Sequence, residues 1–212
     1  MTSSTKVRWF LNLVTLLLVL ATPLFARTET FTAAHVCDGD TIILSNQQHV
    51  RYIGINAPEI AHDMKPAEYF GHEARECNKQ LVLGKRIRLE FDRERQDRHG
   101  RTLAYVYLED GTFVNVELVR AGCAHVLYAP QNVKYYASLL TLQREAIEAQ
   151  KGMWPHILAA SQKPYTGNAR SKKFHRPTCS FGQRTSTKNV TQFKTKKEAF
   201  MKGYSPCRKC LP

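Results

Sequence analysis

A chain of 212 residues, 43% of them apolar, is long enough for one or two packed domains and too apolar to be disordered throughout. Its formal charge of +13 excludes an acidic solvating chain, and that charge is unevenly placed: residues 163–212 carry 13 Lys and Arg against the single Glu198, whereas residues 27–162 carry 16 basic and 17 acidic residues. The basicity belongs to the C-terminal piece, where it suits a polyanion because binding releases condensed counterions, although charge alone equally describes a solvated tail.

In chain order, Lys6 and Arg8 precede an apolar run from Trp9 to Leu20 and then Ala21-Thr-Pro-Leu-Phe-Ala26. This reads as an export signal over residues 1–26, too short for a comfortable span, with an uncleaved anchor as the other reading. The mature protein is then expected to be periplasmic or secreted, monomeric, and without stable membrane association. Residues 31–36 and 41–44 read as strands around the acidic turn Asp38-Gly39-Asp40, and residues 45–48 as a hairpin tip before a strand over 49–55. Pro66 opens an expected helix whose apolar positions Phe70, Ala74, Cys77 and Leu81 recur at helical spacing up to Gly84. Strands over 85–91 and 101–108 flank a charged loop. Helices over 114–120 and about 132–150 follow, stopping at Gly122 and near Gly152. The expected fold class is α+β, mainly β: a five-stranded barrel covered by three helices over residues 27–155. Periodicity fades over 156–164, read as a linker. Residues 165–212 are too few to stand on a hydrophobic core alone and call for a staple.

The chemistry concentrates in Asp38-Gly-Asp-Thr41, Arg51, Asn56-Ala-Pro-Glu59 and Asp97-Arg-His-Gly-Arg101. A phosphodiester repels nucleophiles, so a catalyst must neutralise it, orient a water and stabilise the transition state. Asp40, with backbone carbonyl oxygen near Ala57, offers hard ligands suited to Ca²⁺. Glu59, behind a proline-fixed turn, is placed to orient and deprotonate water. Arg51 and Arg101 carry planar, permanently charged forks that grip phosphate oxygens at two points. Taken singly, each has a plain alternative: a turn, a salt-bridged strand residue, a loop cap. Their joint order and intervals are what carry the reading.

Those segments, together with Val50-Arg-Tyr-Ile-Gly-Ile55, Tyr69-Phe-Gly-His-Glu-Ala74 and Leu118-Val-Arg-Ala-Gly122, resemble the staphylococcal nuclease (thermonuclease) family over residues 31–155. The resemblance implies an OB-fold barrel and a Ca²⁺-dependent phosphodiesterase that acts on DNA and RNA and leaves 3′-phosphate and 5′-hydroxyl ends. It assigns catalytic roles to Arg51, Glu59 and Arg101, calcium ligation to Asp40, Asn56 and the Ala57 carbonyl, and substrate contacts to Tyr128 and Arg98. Asn56 stands where the family uses a second calcium aspartate, which removes one negative charge from the site. Arg98-His99 and Pro130 depart from the family's aromatic pattern around the base.

In the C-terminal piece His175-x₃-Cys179 and Cys207-x₂-Cys210 give one imidazole and three thiols in two close pairs, the ligand set of a tetrahedral structural Zn²⁺ site. A disulfide such as Cys207 with Cys210 competes, but it leaves His175 unexplained. The stretch resembles the zinc-binding module of the Ada DNA-repair methyltransferase, whose first ligand is a methyl-accepting cysteine. His175 cannot perform that thiolate transfer, so methyl repair is not expected. Cys37, Cys77 and Cys123 read as small buried hydrophobes, a Cys77–Cys123 bridge being untestable from sequence, and His62, His72, His99 and His125 receive no role. The competing function is a non-catalytic nucleic-acid binder or partner-docking protein on a nuclease-like barrel. Retention of Arg51, Glu59 and Arg101 together argues against it.

Overall fold

The computed structural model describes residues 29–61, 66–159 and 164–210. The expected export signal therefore lies outside the described residues. Runs of β-branched and aromatic residues form β1 (Thr30–Val36), β2 (Thr41–Leu44), β3 (His49–Tyr52), β5 (Arg86–Glu90) and β6 (Thr102–Leu108). They close into a barrel of order β1-β2-β3-β6-β5. Closure leaves no strand edge unpaired, because β1 pairs with both β2 and β5. Side chains alternate across each strand, so Ala33, Val36, Ile42, Leu44, Val50, Tyr52, Ile87, Ala104 and Val106 all point into one buried core.

The register places the chemistry. Thr41 pairs with Arg51, and Arg51 pairs with Leu103 across the parallel β3–β6 contact. The turn that ends at Asp40 and the loop that ends at Arg101 are thereby brought to the same end of the barrel as Arg51. The strand expected over 49–55 breaks at Gly54, whose φ is 78°, and resumes as β4 (Ile55–Asn56), which pairs with β7 (His125–Val126) in a separate ribbon.

Helices α1 (Gly71–Val82), α2 (Val114–Arg120) and α3 (Tyr136–Glu148) cover the barrel. The first starts later than Pro66 suggests. The chain ahead of it is hooked to the Glu59 loop by a hydrogen bond from the Glu68 N–H to the Glu59 carbonyl, and Phe70 takes a left-handed φ of 69°. Likewise Asn132 does not open α3; its side chain clamps both the N–H and the C=O of Glu94 at 2.9 Å, tying down the charged loop. Cys77 and Cys123 are not separate buried hydrophobes but a disulfide that fastens α1 to the segment after α2.

The expected linker is helical over its first residues: α4 (Trp154–Ala159) continues to Ala159, and residues 160–163 lie outside the described residues. Beyond it, β8 (Tyr165–Asn168), β9 (Lys173–His175), β10 (Val190–Phe193) and β11 (Ser205–Pro206) form a sheet of order β10-β8-β9-β11, accompanied by α5 (Ser180–Gln183) and α6 (Lys196–Met201). Thr195 caps α6 by accepting from the Glu198 N–H at 3.0 Å. Residues 165–210 do not pack on a core of their own. Tyr165, Phe174, Phe193, Phe200 and Tyr204 are buried together with Ala146, Ile147, Met153 and Trp154 of α3 and α4, so the two parts share a second, aromatic core. An edge-to-face contact of Phe200 with Trp154 at 4.9 Å crosses that boundary, and Phe174 backs Phe200 edge-on at 5.2 Å from within the C-terminal part.

Gln143, fully buried on α3, is the polar rivet of the joint. Its Oε1 accepts from the Val126 N–H at 2.6 Å, and its Nε2 donates to the Phe200 carbonyl at 2.7 Å. Gln143→Ala leaves the Val126 N–H buried without a partner, at about 1–3 kcal/mol, and takes from the Phe200 carbonyl the bond that crosses the joint, at about 0.5–1.5 kcal/mol, leaving it the Gly203 N–H. Equilibrium denaturation of that variant should therefore show a loss of about 2–4 kcal/mol, far beyond the effect of an exposed α3 substitution such as Thr141→Ala.

Candidate active site

Asp38 organises the acidic turn, its Oδ1 accepting from the Asp40 N–H at 2.9 Å. Gly39 allows the turn to lie flat on its neighbours, since a Cβ there would stand 2.4 Å from Ala57 Cβ. Asn78 of α1 then locks the turn to the barrel, donating to the Asp38 carbonyl while accepting from the Tyr52 hydroxyl. Gly71 does the same for the opposite wall: a Cβ there would stand 2.3 Å from the Glu59 carbonyl oxygen, so only glycine lets α1 abut the Glu59 loop.

Asp40 is buried with Arg51. Its Oδ1 receives Arg51 Nε at 3.0 Å and the Thr41 hydroxyl at 3.1 Å, and its Oδ2 receives the Ala57 N–H at 2.6 Å. Burial pushes the carboxyl up to about 6, with the Arg51 guanidinium pulling the other way. Arg51 also donates Nη1 to the Tyr52 carbonyl at 2.6 Å and Nη2 to Asn56 Oδ1 at 3.2 Å. Three of its donors are thus used for positioning, and the outer hydrogens of the fork remain.

Asn56 is oriented by His125, a residue that no local pattern marks. His125 Nδ1 has the Val126 carbonyl as its partner at 3.0 Å, which puts the proton on Nδ1 and leaves Nε2 to accept from Asn56 Nδ2 at 3.4 Å. Burial holds the ring neutral, with its pKa driven down to about 3. With Nδ2 turned to His125 and to the Ala57 carbonyl, Oδ1 faces the cations, and it takes two of them: Arg51 and, at 2.6 Å, Nη2 of Arg208. The same Arg208 nitrogen reaches Glu59 Oε1 at 3.0 Å. Asp40, Arg51, Asn56, Arg208 and Glu59 form one hydrogen-bonded chain. The amide oxygen of Asn56, expected as a cation ligand, serves two guanidiniums instead.

Arg101 lies across a cleft of 360 Å³ whose walls include Arg51, Asp97, Tyr128, Lys173 and Arg208. Asp97 aims it, taking Nε and Nη2 at 2.8 Å each; burial, the largest single effect, pushes its carboxyl up, but hydrogen bonds from the Arg101 N–H and side chain and from the His99 N–H together outweigh it and hold the group below the ordinary carboxylate range. Tyr128 is half-buried on the cleft wall and packs edge-on against Tyr136 at 5.2 Å. Arg98 is not brought to this cleft: its Nε rests on His99 Nε2 at 3.1 Å on the exposed loop. Lys173, Arg208 and His125 are the residues that sequence reasoning missed. The pattern between the cysteines showed a basic residue at 208 but nothing of where the knuckle would dock.

The family model of the Staphylococcal nuclease homologue matches residues 49–156, and among curated relatives the thermonuclease of Staphylococcus intermedius is 39% identical over 131 residues, covering 60% of this chain and 77% of that protein. The chain belongs to the staphylococcal nuclease family. Membership makes it a nuclease, a phosphodiester hydrolase. The thermonuclease of Staphylococcus hyicus is 36% identical over 132 residues, 61% of this chain and 78% of that protein, and Endonuclease YncB of Bacillus subtilis (strain 168) is 35% identical over 141 residues, 64% and 66%. Residues 158–212 match a second model, the metal binding domain of Ada.

To the nuclease fold this member adds a metal centre. The parallel pairing of β11 with β9 and the Cys207 N–H bond to the Phe174 carbonyl at 2.9 Å set Cys207 beside His175, and Cys179 lies at the N-terminal end of α5 with Sγ 3.4 Å from His175 Nδ1. One ligand atom from each of His175, Cys179, Cys207 and Cys210 falls within 4.8 Å of the others. One nitrogen and three sulfurs at that spacing fit a closed tetrahedral zinc site. The Arg176 N–H additionally donates to Cys210 Sγ at 3.4 Å, the kind of support that thiolate ligands use. Substituting Cys207→Ser should drop zinc from stoichiometric to trace in metal analysis, and should make residues 165–210 the first part of the chain cut in limited proteolysis, since structural zinc contributes folding free energy directly.

Proposed function

We propose that this nuclease is exported, depends on Ca²⁺, and hydrolyses DNA and RNA to 3′-phosphate and 5′-hydroxyl ends. The observation that carries the reading is the hydrogen-bonded chain from Asp40 through Arg51 and Asn56 to Glu59, opening on the cleft into which Asp97 aims Arg101. Glu59 is the one carboxylate of the chain whose head is partly solvated, at 32% exposed. It is therefore the group that can reach water, orient it and accept its proton. Arg51, buried and fixed on three sides, offers its outer hydrogens to a phosphate oxygen without reorganising, which is what makes preorganised charge effective against charge that develops in the transition state. Arg101 approaches from the other wall and completes a two-sided grip.

The donor set near the turn is entirely hard oxygen. The Asp40 carboxylate retains a lone pair beyond its three donors, and the Ala57 carbonyl retains one beyond Asn56 Nδ2, so these two fit a calcium ion and would hold it. Such an ion, when bound, neutralises phosphate charge as a Lewis acid. The Cys77–Cys123 disulfide supports an oxidising destination, in keeping with the basic and apolar start of the chain.

Cleavage of plasmid DNA and of RNA in Ca²⁺ is the test. Glu59→Gln should lower kcat/KM by about 10²–10⁴-fold with unchanged folding, Arg51→Gly should lower it by at least as much while also destabilising the fold because Asp40 loses its buried partner, and a calcium chelator should abolish cleavage by the unmodified protein. Full activity of either variant, or undiminished cleavage in excess chelator, overturns the assignment.

A further inference from the structure

The cation that closes the nuclease site comes from the other end of the chain. Arg208 sits between the zinc-ligand pair Cys207 and Cys210, yet its guanidinium ends on Asn56 and Glu59. Both contacts use Nη2. Nη1 and Nε have no protein partner among the described residues, and the side chain is 63% exposed. Half of the fork is therefore anchored on the site and half faces solvent. Lys173, two residues ahead of the ligand His175, stands on the same wall with its Nζ fixed by Ser205 Oγ at 2.8 Å. Arg51, Arg208 and Lys173 converge closely enough that the two guanidiniums share one neutral amide oxygen. Like charges held this close are costly unless an anion joins them, and the two carboxylates that touch these arginines among the described residues, Asp40 and Glu59, each already balance one of them.

Resting on the nuclease reading above, we propose that the zinc module completes the nucleic-acid site: Arg208 and Lys173 bind a phosphate of the substrate strand, and the zinc knuckle is the rigid mount that presents Arg208 to it. The path of the strand is marked by cavities. Arg208 and Lys173 line both the cleft beside Arg51 and Arg101 and a second cavity of 370 Å³ between the two parts of the protein, on whose wall Asn56 and Glu59 stand. That second cavity is walled largely by apolar and aromatic groups, including Tyr69 stacked on His156 at 3.7 Å and Phe200. A strand that leaves the catalytic cleft over these two cations delivers its next base against those rings, where stacking is tolerant of sequence. A guanidinium anchored by one nitrogen with the rest of its fork free presents the planar donor edge that a phosphate accepts bidentately, which a lysine in its place supplies only as a point charge.

The experiment measures binding apart from chemistry. In an Arg101→Ala background, used to hold a fluorescein-labelled single-stranded oligonucleotide uncut, Arg208→Ala should weaken affinity about tenfold and lower the slope of log K against log salt by about 0.7, the signature of one lost phosphate contact. Arg208→Lys should recover the salt slope but only part of the affinity, and Lys173→Ala should resemble Arg208→Ala. Zinc content and melting temperature are followed in every variant, so that loss of the module is seen as such. With Arg101 restored, Arg208→Ala should raise KM more than it lowers kcat. Unchanged affinity and slope with zinc retained overturns the proposal. So does tighter binding or faster cleavage, which would mark Arg208 as a plug. A chain that never cleaves but loses affinity through Arg208 would instead refute the catalytic reading and leave this one standing.

Discussion

Everything at the active end of this protein hangs on the buried ion pair of Asp40 and Arg51. Taking two charges out of water costs several kcal/mol per ion, and their attraction offsets this only where the remaining donors and acceptors are also satisfied. The chain meets that condition with backbone. The Ala57 N–H, the Thr41 hydroxyl and the Tyr52 carbonyl each take one valence of the pair, and the β2–β3 register that sets Thr41 opposite Arg51 makes the geometry a consequence of barrel closure rather than of side-chain choice. Removing either partner leaves the other charged, buried and alone. The two glycines with no room for a Cβ, Gly39 and Gly71, belong to the same constraint, since each allows a backbone to approach the Ala57–Glu59 segment that the pair organises.

A second consequence follows from the neutrality of residue 56. An aspartate there would have balanced Arg51 and a second cation together; asparagine supplies only a dipole, and His125 turns that dipole outward by holding the amide nitrogen. Asn56 therefore balances neither guanidinium, and Arg208, which comes from outside the barrel, has its charge met by Glu59. Docking of the C-terminal part is rigid enough to deliver it. Gln143 bridges β7 and α6, Arg144 donates to the Met201 carbonyl, Tyr136 donates to the Gly203 carbonyl, and Phe200 is packed between Trp154 and Phe174. The site is therefore a product of two cores and one joint.

How much of this the sequence discloses divides along a physical line. Short-range pattern is readable: the apolar strand run of Thr41 to Leu44, the Phe70, Ala74, Cys77 and Leu81 stripe of α1, the Asp-Gly-Asp turn and the cysteine spacings all report forces that act within a few residues. Arg51, Glu59 and Arg101 were found because their segments resemble a known family, and the register then explains why they meet. What stayed hidden depends on contacts between distant segments. Nothing local shows that Cys77 and Cys123 face each other, that Asn132 clamps Glu94 rather than starting a helix, or that the run after Met153 is helix rather than linker because Trp154 is drawn into an aromatic core built by residues 165–204. Arg98 shows the converse error: it shares a loop with Arg101, but only Arg101 has a carboxylate at the right reach to turn it inward.

The charge of the C-terminal piece takes on a different meaning in this light. As a composition it is a diffuse attraction for polyanions, screened within about 8–10 Å at physiological salt and silent about where a strand would lie. As a structure it is directional, because two of those basic residues are fixed at the cleft by the same short segments that carry the metal ligands: Lys173 two residues before His175, Arg208 one residue after Cys207. A flexible tail of equal charge would raise the local concentration of nucleic acid without specifying the position of any phosphate. A knuckle held by four ligands fixes the backbone of residue 208, so that a side chain with several rotatable bonds begins from a defined origin and ends on two defined acceptors. In this protein, the reason for closing a small module with a metal rather than leaving it a basic tail is positional.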